Sequence, residues 1–434
     1  GIQWPVGYFH QKERMVEAGL WDRLDELVET SKAKAQVYRK AVLEAVRQYK
    51  RTAGYVLTSI KNTPMASSAF FDDFGEMKCP ASEWTGFNSD TILALNWDNR
   101  RAWVHGGDRL VKWDTYNYWS GAAVRPHLII SHFGHGALQV DSITWKLQSQ
   151  DGLTPREGVL TCKPRIRPGS IQELGVLEFM APQVDQVSRW DLKVQLTGFL
   201  EKEKGAPEKA YWENSWPLWF YPTEACCPTK PDSVGHGEVG LYDPCQLFGD
   251  KSGYRHIVNG DLAISIPEGG GLQGFNVIVT TEWNEALMEY VKTGGRVIYI
   301  QARDAGFASE RLPFWREAAQ VMEDSPYLAG FDAEGFCHLQ WYSLATDRAF
   351  TPSAFEEVLG PDIQVKPILL RLDARKYLVH HYLTEVRFGK GTLLTTTLRP
   401  QGGLGDQAEG LPQSVSGQFL LWQWTQALSD ISHD

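Results

Sequence analysis

Two adjacent carboxylates, Asp72 and Asp73, are the residues of this chain best placed by sequence to touch a substrate. They follow the apolar run Gly54-Tyr-Val-Leu-Thr-Ser-Ile60, which reads as a buried strand, and the break Asn62-Thr-Pro. A loop after a strand is where barrel enzymes carry their chemistry. Carboxylates there can accept hydrogen bonds from sugar hydroxyls. Adjacent residues are poorly suited to act as acid and base across one glycosidic bond, which needs facing carboxyls about 5–9.5 Å apart. The same pair could equally cap its own loop. A second polar group, His10, Glu13 and Glu17, would reach the same rim if its segment follows an earlier barrel strand.

Other constellations carry less. Ser131-His-Phe-Gly-His135 holds two histidines at a turn, with no neighbouring Asp, Glu or Cys to complete a three-ligand metal site. A structural role in the turn is the expectation. His380-His381 would point to opposite faces of a strand. The six cysteines, Cys79, Cys162, Cys226, Cys227, Cys245 and Cys337, lack zinc-ribbon spacing and read as reduced thiols. Gly269-Gly-Gly-Leu-Gln-Gly274 fits G-x-G-x-x-G but precedes a strand, Asn276 to Thr280, where a dinucleotide site needs a helix. No metal and no cofactor are expected.

These residues need a scaffold, and 434 residues exceed one ordinary core. Trp21 to Lys50 has helical apolar spacing through Leu24, Leu27, Val28, Ala35, Val42, Leu43 and Val46. With the Gly54 run it forms the rhythm of an α/β barrel, but two such units at most fit before residue 90 and a closed barrel needs eight. Short β-rich runs follow: Thr91–Leu95, Pro126–Ile130, Ser142–Leu147, Leu174–Phe179 and Leu192–Leu196. Their alternation predicts an antiparallel β-sandwich over 90–222, with Glu201 to Lys209 a hairpin tip or exposed loop. Residues 223–255 read as a linker. From 256 to 434, Leu262–Ile266, Asn276–Thr280, Arg296–Ile300 and Leu393–Leu398 read as buried parallel strands. A short helix, Asn284 to Thr293 with Gly294-Gly295 as its cap, and a final helix, Gly417 to Ser429, complete a flavodoxin-like doubly wound layout.

Charge and composition narrow the classes. A net charge of −10 argues against generic phosphate-backbone binding. Seventeen tryptophans suit sugar stacking as well as a β-sandwich core. No run reaches the ~20 apolar residues of a membrane span. The chain starts at Gly1, so the lack of a leader leaves cytoplasmic and secreted locations both open.

Several segments together resemble large glycoside hydrolase family 2 enzymes of the β-galactosidase type: Tyr38-Arg-Lys-Ala-Val-Leu-Glu44, Gly54–Thr58, Asp72-Asp73 with Lys78, Asp90–Leu95, Leu312-Pro-Phe-Trp-Arg-Glu, Arg371-Leu-Asp-Ala-Arg375 and Phe388–Leu398. The resemblance implies that residues 1–89 are the last α/β units of a TIM-like catalytic barrel, 90–222 a sandwich, and 256–434 a non-catalytic copy of the amidotransferase fold. It implies a retaining hydrolase of β-linked sugars, of β-galactosidase or β-glucuronidase type, with a carbohydrate partner, no nucleic acid, no membrane, and a homo-oligomeric or partner-chain contact through the last domain. Family 2 enzymes use two glutamates, the acid/base following an Asn. The one Asn-Glu here is Asn284-Glu285, on the predicted helix, so both glutamates are expected upstream of Gly1. An amidotransferase needs a thiol after its strand, and this turn reads Gln301-Ala-Arg-Asp304. The alternative is a non-catalytic carbohydrate-binding or assembly protein built from the same modules.

Overall fold

The computed structural model describes residues 6–63, 69–98, 100–104, 107–111, 113–202, 204–223, 239–248, 254–257, 272–313, 316–331, 338–373, 375–401 and 409–430. The chain is multidomain, with mixed α/β structure, several antiparallel and mixed sheets and few helices. It divides into two compact units, one of 1–31, 100–114 and 222–434, the other of 32–99 and 115–221. Helix Leu24–Arg47 therefore contributes to both. These units cut across the boundaries expected at 89 and 255.

The unit of 32–99 and 115–221 is built on two sheets. One joins Thr91–Asn96, His127–His132 and Ser170–Val176, antiparallel throughout. The other orders Asn117–Trp119, Glu208–Tyr221, Ser188–Leu200, Leu138–Ser149 and Arg156–Val159, with Arg165–Ile166 beside Leu138–Ser149. Period two decides the packing. Along Ser188–Leu200 the residues Trp190, Leu192, Val194 and Leu196 are buried, while those between them are half-exposed. They join Leu93, Leu128 and Ile130 of the first sheet in one core. The expected hairpin tip lies between Ser188–Leu200 and Glu208–Tyr221, paired antiparallel from Ser188↔Phe220 to Leu200↔Glu208. Glu208–Tyr221 itself was not among the predicted strands, and Pro217 lies within it. Its outer neighbour, Asn117–Trp119, reaches only Trp219–Tyr221, so the edge at Pro217 has no strand partner among the described residues. Proline is tolerated in that place because it has no ladder hydrogen bond to give up.

One expectation fails here. Gly54 to Ile60 is not a strand but an irregular, largely exposed segment with bends at Thr58 and Ile60. No strand pairs with it among the described residues, so no ladder forms. The expected helix from Trp21 resolves into a single 3-10 turn, Trp21–Arg23, and the helix Leu24–Arg47.

In the other unit the strands Val239–Tyr242, Val277–Thr280, Arg296–Ile300 and Gly391–Thr396 lie parallel and adjacent. Helix Glu285–Lys292 matches the expected short helix, with Asn284 as its N-cap, and the closing helix Val415–Ser429 is found as well. Two corrections follow. Val239–Tyr242 falls inside the expected linker, yet it is a strand of this sheet. The sheet is also not parallel throughout. A tight turn at Gly389, φ +61°, folds Val379–Phe388 back on Gly391–Thr396, and Ile363–Asp373 and Glu317–Met322 continue antiparallel. Leu262–Ile266 and the Gly269–Gly271 part of the glycine run lie outside the described residues. No helix among the described residues is long and apolar enough to cross a membrane.

Candidate functional site

The loop that follows the exposed Gly54–Ile60 segment has a defined architecture. Asn62 N–H donates to the Phe71 carbonyl (3.0 Å), Phe71 N–H to Ile60 (2.9 Å) and Lys78 N–H to Phe70 (2.9 Å), which draws both ends of the loop together. Beneath it Phe70, Trp84 and Phe87 pack edge to face, with centroids 4.3 and 5.1 Å apart. The Arg39 guanidinium lies over the Phe70 ring at 4.9 Å and donates to the Ala69 carbonyl at 3.2 Å. Helix Leu24–Arg47 thus anchors the loop.

The two predicted carboxylates play different parts. Asp72 Oδ1 accepts from Phe74 N–H (2.9 Å) and Glu76 N–H (2.8 Å), so Asp72 caps its own turn. Those backbone donors, Glu76 first and then Phe74 and Gly75, hold its carboxyl below the usual carboxylate range. Asp73 is exposed, and its Oδ2 meets Asn62 Nδ2 at 3.5 Å. Lys78 Nζ donates to Asn62 Oδ1 at 2.8 Å. Partial burial, reinforced by Arg39, lowers the Lys78 ammonium from its ordinary value. Asn62, Asp73 and Lys78 therefore form a row of amide, carboxylate and ammonium beside the exposed Phe74 ring. Such a row can both donate to and accept from hydroxyl groups. With Asp72 occupied by its own turn, the loop does not supply a facing carboxylate pair.

His10 and Glu13 lie on helix Val6–Glu17 in the other compact unit, both exposed, as is Glu17. His10 Nε2 accepts from Arg14 Nε at 3.2 Å, and Arg14 in turn donates to the Lys376 carbonyl at 3.0 Å. His10 steadies an arginine that holds the helix to its own unit.

The histidine motifs are structural. His132 Nδ1 accepts from the Thr91 hydroxyl (2.6 Å) and its Nε2 donates to the Gly136 carbonyl (2.9 Å), which leaves neither nitrogen for a metal. His380 and His381 point to opposite faces of Val379–Phe388. His380 Nε2 faces Glu310 at 3.3 Å, whereas His381 stacks on Phe355 at 6.2 Å. Among the described residues no group of His, Cys, Asp and Glu is arranged to hold a metal. Cys79, Cys162 and Cys245 are free thiols.

A denser polar knot, whose segments sequence reading quoted without joining them, lies at the turn end of the Ile363–Asp373 and Val379–Phe388 hairpin. Arg371, fully buried, donates to the carbonyls of Asp347 and Glu310, each at 2.6 Å. Asp373 pairs with Arg316 and accepts from Arg375 N–H at 2.9 Å. Burial, aided by Arg371, lowers the His380 pKa despite Glu310. These groups are engaged with one another and with backbone, which is an arrangement for holding a hairpin. The turn after Arg296–Ile300 is likewise closed. Gln301 accepts from Phe307 N–H (3.0 Å) and donates to the Phe307 carbonyl (2.9 Å) and Ser309 Oγ (3.0 Å). Gln301 is a loop staple.

Sequence reading found Asp72 and Asp73 but could not assign Asp72 to the turn. It noted Asn62 and Lys78 without joining them, although polar residues at both ends of one loop were the available signal. Residues 123–222 match a family described as "Domain of unknown function (DUF8488)". A search of curated proteins gives no match. Among solved structures the chain is similar to Spo0M, the sporulation control protein of Bacillus subtilis. Identity is 12%, the match covers 32% of this chain and 54% of that one, and the TM-score is 0.20. The alignment thus spans about half of Spo0M and carries no argument about this protein's fold or activity.

Proposed function

We propose that this chain is the C-terminal portion of a retaining glycoside hydrolase of the family 2 type, acting on β-linked sugars, with both catalytic glutamates upstream of residue 1. The observation that carries this reading is the Gly54–Ile60 segment. Its consecutive apolar residues are what a parallel strand buried on both faces requires. Yet Val56 is 94% and Ile60 71% exposed. Neighbouring barrel strands would cover it, and its following loop would then present Asn62, Asp73 and Lys78 at the rim where such barrels bind substrate. On this reading 1–89 ends the barrel. The four parallel strands of the other unit belong to a flavodoxin-like domain whose catalytic turn is closed by Gln301 and which serves for subunit contact.

A non-catalytic carbohydrate-binding protein is the second reading, favoured by the commitment of Asp72 to its own turn. The mass of the denatured polypeptide from its source, with assay on 4-nitrophenyl β-glycosides, separates the two. A mass well above 49.0 kDa with hydrolysis and retained anomeric configuration supports the hydrolase. A polypeptide of 49.0 kDa, inert on these substrates but binding oligosaccharide, overturns it.

A further inference from the structure

Three distant segments of the two-sheet unit converge on an open cleft of about 370 Å³, lined by Lys50, Thr52, Phe133, Gly169, Ser170, Ile171 and Gln172. Lys50 and Thr52 follow helix Leu24–Arg47. Phe133 follows the central strand His127–His132, and Ser170 to Gln172 begin the edge strand. The segments are held firmly. Arg47 donates to the carbonyls of Ser89 (2.7 Å), Asp90 (3.0 Å) and Ser131 (3.2 Å), and Phe133 N–H donates to the Asp90 carbonyl (2.8 Å).

The lining has the chemistry of a sugar subsite. The Arg47 guanidinium lies 5.4 Å from the Phe133 ring centroid, yet the side chain keeps 51% of its surface exposed. That leaves a flat apolar platform of the kind on which a pyranose C–H face rests. Thr52, Ser170 and Gln172 add hydroxyl and amide groups that both donate and accept. Lys50 is the one charged side chain of the lining, and its ammonium has no ion pair among the described residues. The nearest acid along the chain, Glu173, is engaged by His127 Nδ1 at 3.0 Å. The lining holds no carboxylate, and with the Arg47 guanidinium against the Phe133 ring the cleft is cationic on a protein of net charge −10, a local reversal of sign.

We propose that this cleft binds a pyranose unit bearing a carboxylate or sulfate group, with Phe133 under the ring and Lys50 on the anion. The inference rests on the carbohydrate reading above and deepens it: the polysaccharide is anionic, and the sandwich unit holds it outside the catalytic rim.

The test is titration of the whole chain with three oligosaccharides of equal length, an oligogalacturonate, a sulfated galactan fragment and a neutral galactan fragment, followed by calorimetry and by NMR. An anionic ligand is expected to shift the signals of Phe133 and Ser170 to Gln172. Lys50→Gln is expected to weaken that binding about tenfold, the scale of one charge-assisted hydrogen bond, and to leave neutral binding within about twofold. Phe133→Ala should weaken all binding, with unchanged melting for both variants. Uronate and sulfate arms show which anion is preferred. Equal binding of neutral and anionic ligands overturns the anionic assignment. Binding that neither variant alters, or no binding to any of the three, overturns the site. Because the readout is binding, the hydrolase reading can fail while the cleft stands, and hydrolysis without signal changes at the cleft has the reverse meaning.

Discussion

Glu44 and Arg371 are both buried charges, but they sit in units that treat polarity differently. In the two-sheet unit the long strand Ser188–Leu200 alternates between buried apolar and half-exposed polar residues. Glu44 is a buried carboxylate of this unit, at the place where the helix meets the sheet. It accepts from Lys40, from Asn214 Nδ2 (2.7 Å) and from Trp216 Nε1 (2.8 Å), and the Lys40 ammonium sits 5.1 Å from the Trp216 ring centroid. Burial lowers the Lys40 pKa in spite of Glu44. In the other unit, Val379–Phe388 and Gly391–Thr396 are buried along nearly their whole length. Polar side chains there have no wet face to turn toward, and the hydroxyls of Thr384 and Thr395 find no hydrogen-bond partner among the described residues. One unit gathers its buried charge at a single satisfied node. The other spreads polarity through a covered sheet; both leave some groups unmet among the described residues, Trp190 Nε1 in the first and the Thr384 and Thr395 hydroxyls in the second, each a cost of about 1–3 kcal/mol.

The sharpest way to break this contrast is Glu44→Ala. It strands Lys40 in the interior and removes an acceptor from two further donors. A loss of about 3–5 kcal/mol is expected for removing one member of a buried pair, read from urea unfolding of the sandwich unit. A loss under about 1 kcal/mol would mean that the node is not where stability concentrates.

Acid should divide the units next. Burial, with His380 adjacent, lowers the His381 pKa to about 4. Between that value and 6.5 the unfolded chain binds a proton that the native chain refuses. Stability is therefore intact above pH 6.5 and falls as pH drops toward 4, by up to about 3 kcal/mol. His127 has the opposite sign. Its slight burial alone would lower it, but Glu173 and Asp98 raise it above the ordinary histidine value. Its contribution is full below pH 6.5 and is lost as pH rises through the raised value. Melting followed at pH 4 to 8 should show His381→Phe flattening the acid side and His127→Asn the neutral side. Identical profiles in both variants would erase the distinction.

Within the two-sheet unit, Gly136→Ala tests how tightly the Ser131–His135 turn is built. A Cβ there would lie 2.0 Å from the Glu201 carbonyl oxygen, at φ +78°. A loss of about 1–3 kcal/mol is expected. Gly152→Ala, with φ +75° and open space around it, should cost less in the same melt. The smallest effect concerns the loop. If the proposed hydrolase reading holds, Asp73→Ala should lower kcat/KM about tenfold while leaving folding unchanged, whereas Asp72→Ala should disturb the turn itself, seen as faster proteolysis of the loop.

The same contrast explains what could be read from sequence. The sandwich strands were legible because one wet face imposes period two. The parallel strands were legible as short apolar runs. Val379–Phe388 was not, since His380, His381, Thr384 and Glu385 break the apolar run while remaining inside. Gly54–Ile60 misled for the opposite reason: its residues have the pattern of a buried strand, but burial needs neighbours that the described residues do not include. At the loop, residue types located the carboxylates, but their division of labour depends on backbone N–H directions that composition does not encode. The cleft was invisible because Lys50, Phe133 and Gln172 are brought together only by folding.

Pro217 has a consequence beyond its own strand. From Glu208 to Leu218 the outer edge of that sheet has no strand partner among the described residues, although helix Ala81–Asn88 lies against it near Glu213, and unpaired N–H and C=O groups along an edge are a template on which a second molecule can add itself. The proline removes one donor from that row, and Lys209 and Glu213 set charges along it. The proline and these charges make the edge a poor template for a second molecule, and replacement of Pro217 by a β-branched residue is expected to lower solubility before it lowers stability.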